Sequence, residues 1–179
     1  MKKSRILWIA RTAIFIALLI ALQFATAPLG QLVTGSLVNL LLIVSVMTCG
    51  LASGLCVAAI SPVMAKLMGI GPLWELIPFV ILGNAALVLV WHFIGNRNMG
   101  RKIVAHIAAL VCAAVTKFVV LYLGIVVVAV PLFLKLPQPQ VEKISGMFSL
   151  PQLFTATVGG ALAVVILPVL KKAIRKGQD

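Results

Sequence analysis

Residues 103–130 form an apolar run long enough to cross a lipid bilayer, and a single charge, Lys117, sits near its centre. A spanning helix rises ~1.5 Å per residue, which puts Lys117 roughly 20 Å of helix from either end, while its side chain reaches about 6 Å. It cannot easily extend to water. A cation at that depth is costly unless it faces a protein interior, a wet cavity or an anion, so by default it marks a functional site. The plainer alternative is a lysine satisfied by carbonyls or waters between helices.

The rest of the chain follows the same pattern. Apolar segments lie before Ala27, at 36–48, at Leu51–Leu67, at 76–94 and from Leu153 onward. Six spans of ~20 residues take up roughly 120 residues, leaving short loops and no room for a soluble domain. With 63% hydrophobic residues and only Glu75, Glu142 and Asp179 as acids, the composition is that of a membrane protein. The expected fold is all-α: a compact bundle of six transmembrane helices forming a single integral membrane domain over residues 1–179. The net charge of +12 does not indicate nucleic acid, because the basic residues cluster at the ends of apolar segments, where they set topology and meet anionic lipid. Cys49, Cys56 and Cys112 lie inside apolar segments without partners at ligand spacing. They read as small buried residues, with no disulfide and no metal.

Along the first span, Ala10, Ala13, Ala17 and Ala21 recur at helical spacing, and such a small-residue stripe lets another backbone come close. Packing within the chain is the alternative. Ala25-Thr26-Ala27 imitates a signal-peptidase site, but Arg11 interrupts the start of the run and further spans follow, so an uncleaved first helix is expected. Residues 28–35, PLGQLVTG, read as a loop that is unusually apolar for a surface and suited to covering something. Pro62 is expected to kink the third span. A turn at 69–75 then carries Trp74 and Glu75 at the same boundary as the first loop. Asn39 lies near the start of span two and Asn84 near the middle of span four; a mid-depth Asn either bonds a neighbouring helix or reads a ligand. Beside Lys117 the face includes Ala113, Val120, Leu121 and Gly124. After Pro131 comes a proline-rich loop of roughly 20 residues, long enough to suggest a functional cover. Span six carries Thr155, Gly159 and Gly160, with Gln152 just before it.

Charge sets the orientation. One side holds both termini together with Lys2, Lys3, Arg5, Arg11, Arg97, Arg101, Lys102, Lys171, Lys172, Arg175 and Lys176; the other holds Lys66, Lys135 and Lys143. The positive-inside rule makes both termini cytoplasmic, so the site under the first loop, the Trp74 turn and the long loop opens outward.

Several chemistries lack their residues. No mid-span acid is available for a proton relay, no phosphate-binding Gly-rich loop with Lys-Ser/Thr occurs, and no acids cluster for a catalytic metal. Ser53, with His92 or His106 as base, is a weak echo of an intramembrane serine protease, but Leu51 stands where that pattern has glycine. Neither an enzyme nor a cofactor is expected.

A small six-span protein with a basic N-terminus, Ala13, Ala17 and Ala21 in an Ala-x-x-x-Ala series, an apolar first loop and no ATPase motif resembles the substrate-binding S component of energy-coupling factor (ECF) vitamin transporters. The phrases at 34–39, TGSLVN, and 148–153, FSLPQL, are also similar to members of that family. The resemblance covers nearly the whole chain. It implies a multi-pass protein of the bacterial plasma membrane that binds a vitamin-like small molecule at the outer face. It implies as partners a transmembrane coupling subunit, docked through Ala13, Ala17 and Ala21, and two ATPase subunits. On this reading Lys117 pairs with a carboxylate, phosphate or polarised carbonyl of the ligand. Asn39, Asn84, Gln152 and Thr155 hydrogen-bond it, Trp74 packs on it, and Glu75 stands beside it. Pantothenate and pyridoxine-like, queuosine-like or folate-like compounds fit that demand. The alternatives are a stand-alone secondary carrier and a structural membrane subunit without a ligand.

Overall fold

The computed structural model describes residues 2–99 and 101–176. Asp179 and the side chains of Lys2, Lys3, Arg175 and Lys176, all used in the sequence argument, lie outside the described residues. The described chain runs through α1 (Lys2–Thr26), α2 (Gln31–Cys49), α3 (Leu51–Leu67), α4 (Ile77–Gly95), α5 (Lys102–Leu121), α6 (Val130–Phe133), α7 (Gln138–Met147) and α8 (Leu150–Lys176). A π-helix, Tyr122–Ala129, carries α5 on into α6, and 3₁₀ turns sit at Ala27–Leu29 and Trp74–Leu76.

Helices satisfy their own backbone hydrogen bonds, which suits an apolar sequence in an apolar surrounding. Among the described residues, five stretches are long and apolar enough to cross a membrane: Arg5–Leu29, Gln31–Cys49, Trp74–Gly95, Lys102–Phe133 and Gln138–Ile174. Leu51–Leu67 is apolar but shorter. Large apolar side chains such as Ile14, Phe24, Leu82, Phe93, Val111 and Val165 are exposed on the outside of the bundle. On a soluble protein so much apolar surface would drive association; on a bilayer protein it meets lipid. The chain turns sharply at Gly30 and Gly50, whose φ angles of 88° and 89° fall where a Cβ is disfavoured.

Helix α2 lies at the centre and packs on α1, α3, α4 and α8, while α5 packs on α4 and α8. The core between them is built from Leu42, Ile43, Val57, Leu87, Val88 and Trp91. A second, smaller cluster joins Leu76, Leu121, Ile125, Ala129, Val130 and Phe148, fixing the π-helix against the segment that follows α7. Close approach of α8 to α2 depends on Gly159, where a Cβ would stand 2.5 Å from the Ser36 carbonyl oxygen and 2.7 Å from the Asn39 Cβ.

Three sequence expectations change. The loop expected at 28–35 ends at Gly30, and Gln31 already begins α2. Gly35 does not break that helix; it makes room for Thr155, whose Cγ2 would lie 3.0 Å from an added Cβ. The proline-rich loop after Pro131 contains α7, because Pro139 falls at the first turn of that helix, where its missing N–H costs nothing. The cysteines are less enclosed than expected: Cys49 and Cys56 are half-buried and Cys112 is exposed.

Candidate functional site

Lys117 is buried, 4% exposed, and its ammonium donates to the Asn39 Oδ1 at 2.6 Å and to the Asn84 Oδ1 at 2.7 Å. Three helices, α2, α4 and α5, thus meet at one cation. The Asn39 side chain is set from behind: its Nδ2 donates to the Thr155 Oγ1 at 3.4 Å, and Thr155 in turn donates to the Gln152 carbonyl at 3.2 Å. The close α2–α8 packing at Gly35 and Gly159 makes that support possible. An ammonium has three N–H donors, so two amide oxygens leave one for a further acceptor.

That further acceptor has space. A cavity of about 320 Å³ is lined by Asn39, Asn84, Lys117, Gln152, Gln23 and Ser61 among others, with apolar wall from Val38, Val80 and Leu121. It has the mixture usual for a small-molecule site, mostly apolar with a few convergent polar groups. Its roof is tied down at one point. The Met147 carbonyl, at the end of α7, accepts from the Gln31 Nε2 at 2.9 Å and from the Gln152 Nε2 at 3.1 Å. Gly30, Gln31 and Met147 also line a more open groove of about 450 Å³ beside Glu142 and Lys143, so they form the wall between groove and cavity.

The structure therefore brings Lys117, Asn39, Asn84 and Gln152 to one cavity, with Thr155 behind Asn39 rather than in the wall. Trp74 and Glu75 are exposed and stand outside the lining; the neighbouring Ile70, Gly71 and Pro72 take that stretch of wall. Of the expected small face beside Lys117, only Leu121 lines the cavity, and Gly124 instead admits Phe79 of α4, whose Cδ1 lies 2.7 Å from a virtual Cβ. Gln23 and Ser61 were not foreseen. The one sequence signal for Ser61 was its place beside Pro62 inside an apolar helix, where a proline removes a backbone donor.

Elsewhere the polar groups have structural partners. Ser53 shares a 2.9 Å hydrogen bond with Thr12, which also donates to the Trp8 carbonyl at 2.8 Å; this joins α1 to α3 and gives the serine no basic partner. His106 lies beside Trp91, ring centroids 6.0 Å apart. Among the described residues no group of His, Cys, Asp and Glu could hold a metal ion. Ala13, Ala17 and Ala21 of α1 are exposed, facing away from the rest of the chain.

No curated protein and no solved structure matches the chain significantly. A family model does: residues 8–171 match the ECF transporter, substrate-specific component. The helical membrane architecture and a buried polar cluster open to a cavity accord with that match, and the chain belongs to this family, the membrane-embedded substrate-binding subunits of ECF-type importers.

Proposed function

We propose that this subunit captures a vitamin or vitamin-like micronutrient in the cavity beside Lys117, with a carboxylate, phosphate or polarised carbonyl on the third ammonium N–H. One observation carries the reading: a buried cation, oriented by two amide oxygens, lines a cavity of about 320 Å³. Asn84, Asn39 and Gln152 complete the polar wall, and Thr155 orients Asn39 from behind. The charge distribution supports six spans with both termini in the cytoplasm, as in a bacterial plasma membrane, so the cavity faces outward. The exposed Ala13, Ala17 and Ala21 supply a smooth face for a transmembrane coupling subunit, itself driven by two ATPases.

Mass spectrometry of small molecules released from the purified, detergent-solubilised chain tests this. A vitamin-sized compound is expected from the wild type, and Lys117→Ala should weaken its binding by about a hundredfold, the worth of a charge-assisted hydrogen bond lost from a buried site. Unchanged affinity in that variant rejects the assignment.

A second reading has the same two bonds in its favour: Lys117 ties α5 to α2 and α4 and contacts no ligand. In that case Lys117→Ala lowers thermal stability as its main effect, and the wild type neither yields a compound nor is stabilised by added vitamins.

A further inference from the structure

The cavity wall holds two polar groups that make no bond to the lysine. Ser61 of α3 is 1% exposed and its Oγ has no hydrogen-bond partner; the Oε1 of Gln23, on α1, is likewise buried and unpaired. Both residues line the same cavity as Lys117. Apart from His92 Nδ1, these are the only buried side-chain polar atoms among the described residues left without a partner. A buried polar atom left unpaired is costly, so two of them lining one cavity is an unfavourable arrangement unless something fills it. A serine inside a helix ordinarily relieves itself by bonding the carbonyl one turn back, as Ser36 does to Leu32 at 2.6 Å; Ser61 does not.

We infer that Gln23 and Ser61 each receive a hydroxyl or amine of the ligand, apart from the acceptor group on Lys117. The inference rests on the proposed binding reading and narrows its substrate class. A hydroxyl answers either residue: it donates to the Gln23 oxygen, or it accepts from the Ser61 hydroxyl. It serves Gln23 equally if the amide is turned over, because it then accepts from the amide nitrogen. An aliphatic or purely aromatic group would leave both atoms unpaired. These groups also come from different helices: Gln23 from α1 and Ser61 from α3, the lysine from α5 and its amide partners from α2 and α4. The ligand is therefore a small molecule with an acid, phosphate or carbonyl in one part and an O–H or N–H donor in another. Gln23 further links the cavity to the helix that bears the exposed alanines, since it lies about 200° around α1 from Ala21.

The test compares the wild type with Ser61→Ala, Gln23→Leu and Lys117→Ala. Each full-length chain is purified in detergent; the co-purifying compound is identified by mass spectrometry, and pantothenate, pyridoxine, queuosine and folate are titrated by thermal shift. The expected ligand carries an O–H or N–H group, and both Ser61→Ala and Gln23→Leu weaken it by about tenfold. Empty Ser61→Ala keeps or raises the wild-type melting temperature, because an unpaired hydroxyl has been removed; a structural serine would lower it. A ligand lost in Lys117→Ala but bound unchanged by both other variants, or one without an O–H or N–H, overturns this inference and leaves the lysine reading standing. A wild type that yields no compound and is stabilised by none of the four overturns the binding reading and this inference with it.

Discussion

Helices α1 and α2 are about equally apolar, yet only 11% of the apolar window in the first is buried against 50% in the second. Hydropathy says that each can enter a membrane and nothing about what each will touch there. The difference lies in the polar and small residues. Helix α2 buries Ser36, Asn39 and Ser45; the two serines bond carbonyls of their own helix, whereas Asn39 bonds Lys117 of α5 and Thr155 of α8. Asn39 holds α2 at the centre, where α8 can approach across Gly35 and Gly159. Helix α1 turns Thr12, Leu19 and Gln23 inward and leaves Ala13, Ala17 and Ala21 outside. One helix is fixed by what it bonds, and the other keeps a face free.

The comparison breaks most severely at Gly159. A leucine there drives its Cβ against the Ser36 carbonyl and the Asn39 side chain, and backbone cannot retreat as a flexible side chain would. Helix α8 must then move off α2, at a cost of about 3 kcal/mol or more. Gly159→Leu is expected to lower the melting temperature sharply in detergent and to abolish ligand binding; wild-type behaviour in both would mean that α2 is not held by α8. Asn39→Ala comes next. It keeps the helix contact but takes one of the two acceptors from Lys117 and leaves Thr155 without the amide it supports. A buried charged donor losing a partner costs about 2 kcal/mol. Thermal unfolding should show that loss, with a parallel fall in ligand affinity.

The helices and the lysine were legible because they rest on strong local signals: runs of apolar residues at spanning length, and one charge where none is cheap. Asn39 and Asn84 followed as polar residues at depth, though only the structure shows both oxygens on the same ammonium. The connections were harder to read. Proline and glycine mark loops by their backbone chemistry, but Pro139 sits where a helix begins and Gly35 where two helices touch, and both situations use the same property for a different end. The sequence groups Trp74 and Glu75 with the site because they share a boundary with it; in three dimensions the turn places Ile70, Gly71 and Pro72 on the cavity instead. Ser61 and Gln23 are ordinary residue types in sequence, and what distinguishes them is a missing partner.

The smallest effect on the isolated protein is expected on the exposed face of α1, and it sharpens the comparison most. Ala17→Leu adds a side chain at a residue that the described chain leaves exposed, so stability should change by no more than about 0.5 kcal/mol. Ligand affinity should likewise match the wild type, because Ala17 does not line the cavity. Uptake by cells that supply the coupling subunit and ATPases should nevertheless fall steeply, and Ala13→Leu should behave in the same way, since a bulky side chain keeps a second helix from approaching where alanine admits it. Uptake at the wild-type level in both variants would mean that the free face of α1 meets lipid alone. A loss of uptake with stability and binding intact would separate the two helices by role, with α2 holding the site and α1 presenting it to the partner.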